Sequence, residues 1–319
     1  MNDPVSAQTL ALVAGASRGL GLLIARELGR RGHRVVISAR DAETLDRAAE
    51  QLRREGSTVT TYVCDVRDAE QVETMIDAVE TTDGMIETLV VVAGVIQVGP
   101  LESLSRAHFT EAIDIMLWGP VNAGLPMAAR MRERGRGRIG VITSIGGLVA
   151  VPHLLPYSTA KFGAVGFARG LRAELAGTGV KVTTVAPGLM RTGSHLRAEF
   201  VGDQGAEFAW FAPGASLPGV SMSADRAAAR IVDGVLAGRA MVVLTPLAQI
   251  GMRVNALFPG LTAVALEVMS RLLPRSPGGP TETLQGYAAR DRLPATRRRV
   301  LDGITVLGRR AASRNNELP

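Results

Sequence analysis

The amino-acid sequence predicts a doubly wound α/β protein, with a parallel sheet of about seven strands, helices on both faces and a C-terminal helical extension. Three observations carry this prediction. From residue 9 to about 245, short β-branched apolar runs alternate with amphipathic stretches. The runs are apolar on both faces, as strands covered by helices on either side must be. A glycine-rich turn joins the first run to the first amphipathic stretch, where backbone must turn tightly.

In chain order the strands are TLALVAG (9–15), HRVVISA (33–39), TVTTYVCD (58–65), ETLVVVAG (87–94), GRIGVITS (137–144), VKVTTVAP (180–187) and AMVVLT (240–245). Between the first two lies the helical pattern LGLLIARELGRRG (20–32). After the second comes DAETLDRAAEQLRREG (41–56), with Asp41 placed as its N-cap. Residues 193–223 are too long for an ordinary connection and carry Phe200, Phe208, Trp210 and Phe211 in a chain that is only 4% aromatic. They are expected to form a lid over an apolar ligand. Residues 246–273 read as two apolar helices split at Pro259-Gly260. Neither half reaches the ~20 apolar residues of a membrane span. Core packing, dimer contact and peripheral membrane docking are all open for them, with the first two favoured.

Hydrophobic residues make up 46% of the 319 and charged ones 21%, the balance of a chain with a full core. Cys64 is the only cysteine and the four histidines are scattered, so neither a disulfide framework nor a metal site is expected. The first ten residues show no basic segment followed by an apolar one, and a cytoplasmic protein is expected. The net charge of +6 is concentrated at the end of the chain. From residue 288 onward eight arginines face three acids, leaving the rest near neutral. With no aromatic or zinc motif beside it, that tail reads as a solvated helix rather than a nucleic-acid binder.

Three clusters carry the chemistry. The first strand runs into AGASRGLG, whose Gly15, Gly19 and Gly21 precede a helix start. Backbone N–H groups and the helix dipole there attract phosphate. The second strand ends in Ser38, Ala39 and Arg40 rather than an acid, and Arg18 lies inside the glycine turn. Two arginines there suit a ribose 2′-phosphate, favouring NADP(H), although Arg40 alone could be a solvated residue after a strand. Finally, Tyr157 and Lys161 stand one helical turn apart at the end of a long uncharged run. Only two of the 36 basic residues are lysines. An ammonium beside a phenol favours the phenolate and lowers its pKa from about 10, as acid–base work on a carbonyl requires.

These motifs together resemble the short-chain dehydrogenase/reductase family in its single-domain form. The resemblance rests on GxxxGxG at 15, 19 and 21, YSTAK at 157–161, and Ser144 placed 13 residues before Tyr157. PGLMRT at 187–192 and CDV at 64–66 add to it, and the match runs from residue 9 to about 245. It implies a Rossmann fold over 1–245, with 246–319 as the extension, and NADP(H)-dependent hydride transfer on a carbonyl or hydroxyl of an apolar small molecule. Ser144, Tyr157 and Lys161 would be catalytic. Gly15, Ser17, Arg18, Gly19, Leu20, Gly21, Arg40, Asp65, Val66, Ala93, Gly94, Tyr157, Lys161, Pro187, Gly188 and Thr192 would hold the cofactor. Lys161 would also bond the nicotinamide ribose. A homodimer or homotetramer is implied, and substrate choice would lie in 193–223, around His153–Leu155, and in 246–273.

Two positions depart from the family. Its NNAG stretch is VVAG here, with Val91 and Val92 replacing the asparagines. Its catalytic asparagine, in NxxG, is Met116 of MLWG. Asn122, six residues on and rotated by about 240° on a regular helix, cannot replace it. A weakened or rewired proton relay is the expectation, and a catalytically feeble NADP(H)-binding sensor or interaction protein is the alternative function. An epimerase or dehydratase of the related extended family is disfavoured by the glycine spacing.

Overall fold

The computed structural model describes residues 9–276 and 279–318. The N-terminal stretch read above for a leader lies almost wholly outside them. All seven expected strands form one parallel sheet: β1 (Leu10–Ala14), β2 (Arg34–Ala39), β3 (Val59–Val63), β4 (Ile86–Val91), β5 (Gly137–Ile142), β6 (Val180–Ala186) and β7 (Met241–Val243). Their order is β3-β2-β1-β4-β5-β6-β7. The direction of winding reverses between β1 and β4, so a crevice opens at the carboxyl ends of these two strands, where such sheets bind ligands.

Alternation along β1 divides the core. Ala11 and Val13 face a layer built from α1 (Gly19–Arg30), α2 (Ala42–Arg54) and α8 (Ala224–Leu236). Leu10, Leu12 and Ala14 face α3 (Ala69–Thr82), α5 (Gly119–Glu133) and α6 (Leu155–Glu174). Helix starts follow the local chemistry: the Asp41 carboxylate accepts the N–H of Thr44 at 2.8 Å, as expected, and Asp68 caps α3 the same way. Helix α4 (Arg106–Ile113) runs into α5 through a wide π turn, Asp114–Trp118. Met116 therefore sits in that turn rather than in a regular helix, and such turns cluster at functional sites.

The 193–223 segment is ordered. It contains a short strand, Glu199–Phe200, and α7 (Gln204–Gly214). The short strand lies between Gln97–Val98 and Leu284–Gln285, so a second sheet of three strands ties the lid to the end of the chain. A third core forms there. Phe200 and Phe208 meet edge to face at 5.6 Å, and Ala289, Leu301 and Ala312 from the C-terminal helices α11 (Gly286–Asp291), α12 (Ala295–Ile304) and α13 (Val306–Arg314) complete it. Two of the four lid aromatics thus bind the tail rather than a ligand.

Two expectations change. The basic tail is not a merely solvated helix: Gly308, Ala311 and Ala312 are buried against the lid region, and Arg290 forks onto Asp302 at 2.6 and 2.7 Å. Core packing of 246–273 is overturned. Helix α9 (Pro246–Leu257) buries only Ala248 and α10 (Pro259–Leu272) buries nothing, leaving Leu257, Phe258, Leu261, Val264, Val268 and Leu272 exposed. Hydropathy alone could not separate a helix buried in its own fold from one left for an external surface.

Candidate active site

Every catalytic and cofactor residue named from the sequence opens on one cavity of about 620 Å³ at the winding reversal. One end is the glycine turn. Gly15 holds φ +90°, and a Cβ on it would lie 2.5 Å from the Ala93 nitrogen, so the turn must be bare to pass β4. A Cβ on Gly21 would strike the Gly15 carbonyl, which fixes the close start of α1. Gly15 and Ala16 donate their N–H groups to the Ser38 carbonyl at 2.8 and 3.1 Å, locking the turn to β2. Ser17, Arg18, Leu20, Arg40, Asp65 and Val66 line the same end. Burial acts to raise the Asp65 carboxyl, but the Arg67 guanidinium grips it at 2.6–3.1 Å and holds it below the usual range. Val92 and Ala93 take over the floor, both donating to the Ala14 carbonyl, so the apolar VVAG replacement preserves the main-chain bonds.

At the other end stand Ser144, Tyr157 and Lys161. Ser144 follows β5 in extended backbone, and its Oγ accepts the Gly146 N–H at 3.0 Å. Gly146 and Gly147 let α6 lie directly on this turn: a Cβ on the first would sit 3.0 Å from the Tyr157 ring, and one on the second 2.5 Å from the Lys161 carbonyl. The Lys161 ammonium, buried and 5.9 Å from the centre of the Tyr157 ring, donates to the Ile142 carbonyl at 2.9 Å. Burial pulls it down to about 8. Burial pushes the Tyr157 phenol up, with Ser144 acting in the opposite sense. The expected depression of the phenol is therefore absent from the chain alone, where burial outweighs the Ser144 hydrogen bond.

Met116 is fully buried in the cavity wall, its thioether beside Gly94. Asn122 turns away, donating to the Val66 and Arg67 carbonyls at 2.9 and 3.2 Å. Pro187, Gly188 and Thr192 close one side, and Val151, Leu154, Met190, Trp210 and Phe211 make an apolar wall beyond Tyr157. His153, in left-handed backbone at φ +63°, does not line the cavity. Its Nδ1 meets the buried Glu207 carboxylate at 2.9 Å, and Trp210 Nε1 donates to the same group at 2.6 Å, fastening α7 beside α6. Arg197 and Met269, within the two segments expected to set substrate choice but not singled out there, also line the cavity, as do Gln285 and Glu317, which lie outside every expected site. They arrive through long-range packing, and no local spacing marks them. A second concavity of about 730 Å³, between α8, β7 and α9, contains none of the predicted residues.

The sequence profile described as short chain dehydrogenase matches residues 9–199. The chain belongs to the short-chain dehydrogenase family. Among its relatives in this family, a Streptomyces coelicolor protein carrying a provisional ketoacyl-reductase name is 40% identical over 57% of this chain and 71% of its own length. The gluconate 5-dehydrogenase of Gluconobacter oxydans is 35% identical over 57% and 71%. Among solved structures, a single-substitution variant of actinorhodin polyketide ketoreductase with NADPH superposes with a TM-score of 0.67 and 31% identity, covering 75% of this chain and 96% of that one. As a short-chain dehydrogenase the chain is an oxidoreductase of a nicotinamide cofactor. The glycine cradle fits such a dinucleotide: it offers a helix start, and Gly15, Gly19 and Gly21 put no side chain of their own between backbone and phosphate.

Proposed function

We propose that this chain is an NADP(H)-dependent oxidoreductase acting on a carbonyl or hydroxyl of an apolar small molecule. One observation carries the reading: Ser144, Tyr157 and Lys161 share a single cavity with the glycine cradle, and the wall beyond Tyr157 is apolar. Arg18 and Arg40 at the cradle end, with no acid at the end of β2 itself, support a 2′-phosphate. Asp41 is engaged as the cap of α2.

The nicotinamide, when bound, gives or takes the hydride. Tyr157 supplies the proton to the substrate oxygen in reduction and removes it in oxidation. The Ser144 hydroxyl holds that oxygen within reach of the phenol. Lys161, fixed by Ile142, keeps a positive charge beside the phenol up to about pH 8. The apolar wall of Leu154, Trp210 and Phe211 excludes water and selects apolar substrates.

The test is NADPH oxidation with a panel of apolar ketones, aldehydes and quinones. Turnover by the wild type, abolished in Tyr157→Phe with NADPH binding retained, is the expected result. Binding without turnover on any of them would favour the sensor reading, which the buried Met116 motivates. For the cofactor, Arg40→Asp should weaken NADPH about tenfold or more relative to NADH, the worth of one charge-assisted phosphate contact.

A further inference from the structure

The last described residues lie across the glycine turn. The Gly19 N–H, at the start of α1, donates to the Asn315 carbonyl at 2.8 Å. The Asn316 amide donates to the Ser17 and Thr44 carbonyls at 2.8 and 3.2 Å, and the Asn315 amide to the Thr192 carbonyl at 3.1 Å. From the lid, the Arg197 guanidinium donates to the carbonyls of Glu317 and Leu318, both at 2.7 Å. Asn316 sits in left-handed backbone at φ +56°, a conformation asparagine tolerates, and this bend turns Glu317 inward.

The Glu317 side chain enters the cavity beside the cradle, and a Cβ on Gly19 would strike its Oε1. The residue is 5% exposed, and among the described residues no hydrogen bond reaches its carboxylate. Burial raises that carboxyl to about 7, against the pull of Arg18 and Arg197. A carboxyl group thus stands where the helix start, Arg18 and Arg197 favour an anion, and where one N–H of the cradle is already taken.

We propose that the segment Asn315–Leu318 is an internal ligand of the phosphate cradle, with Glu317 standing in for a cofactor phosphate. It rests on the reading of this cleft as a dinucleotide site. A pyrophosphate and the Glu317 carboxylate repel each other across the same helix start. The dinucleotide therefore binds as the segment lifts from Ser17, Gly19 and Thr192. Apparent affinity is reduced by the fraction of molecules with the segment lifted, so a segment seated in nine of ten molecules weakens binding about tenfold.

The experiment measures NADPH affinity by titration calorimetry for the full chain, for a chain ending at Arg314, and for Glu317→Gln. Hydrogen exchange of residues 315–318 is followed with and without NADPH. The expected result is affinity about tenfold tighter in the shortened chain and several-fold tighter in Glu317→Gln. Faster exchange of the segment when NADPH is added to the full chain is expected as well. A synthetic peptide of residues 313–319 should compete with NADPH for the shortened chain. Should that chain fail to fold, as judged by circular dichroism, Glu317→Gln decides. Equal or weaker NADPH binding in the folded variants, or slower exchange of the segment with NADPH present, overturns the proposal. Failure of all three proteins to bind NADPH or NADH instead overturns the dinucleotide reading on which it rests.

Discussion

His195 is the residue whose chemistry is most at odds with its surroundings. It is fully buried, both ring nitrogens lack a partner among the described residues, and burial with Arg309 nearby pulls it down to about 4. The native state holds it neutral while the unfolded chain protonates near 6.5. Its share of stability is therefore complete above pH 6.5 and lost as the pH falls towards 4, to a limit of about 3 kcal/mol. His195→Leu should move acid unfolding to lower pH, read from Trp210 fluorescence in a pH titration. An unchanged midpoint would mean His195 does not govern it. Met116 is the second case. Met116→Asn puts an amide into a fully buried position, where unmet hydrogen bonds cost about 1–3 kcal/mol, and the denaturant midpoint should fall accordingly. Unchanged stability with faster turnover would show that a partner for the family's asparagine persists. Tyr157, Lys161 and the glycines were legible because their meaning lies in local spacing on one helix or one turn. Arg197 and Glu317 were not, because nothing near them in sequence says which arginine of a loop, or which acid of a tail, turns inward.

At the scale of elements, the lid and the C-terminal helices act as one unit. Gly193 opens the lid at φ +102°, and a Cβ there would run into the backbone of Ala312 on α13. Gly193→Ala should strain the turn and push α13 away, at a cost of about 1–3 kcal/mol. Faster hydrogen exchange in 306–314, with the central sheet unaffected, is the expected signature. Uniform destabilisation of the sheet as well would mean that lid and sheet unfold together. All seven central strands were legible, since apolar β-branched runs between helical patterns leave few alternatives. The lid's aromatics were legible as a cluster but not in their division. All four pack in the core shared with the tail, but only Trp210 and Phe211 also line the cavity, while Phe200 is held by a strand pairing with Leu284 that no local pattern announces.

For the whole molecule, the outstanding surface is α9–α10, apolar and uncovered, with Met269 of α10 reaching the cavity wall. None of the helices among the described residues is long and apolar enough to cross a membrane. The double variant Leu261→Glu with Val268→Glu is expected to lower the mass in sedimentation equilibrium, as it should if a second copy covers this face. Unchanged mass with loss of vesicle binding would assign the face to lipid instead. The three-stranded sheet of Gln97–Val98, Glu199–Phe200 and Leu284–Gln285 has a further consequence, in the order of events during synthesis. The lid strand emerges from the ribosome well before its outer partner, with α7 to α10 made in between. The sheet of seven strands can assemble on the nascent chain, but the lid cannot close its outer edge until Leu284–Gln285 has been made. A chain interrupted after β7 would carry Ser144, Tyr157 and Lys161, the side chains proposed for catalysis, beneath an unfinished roof.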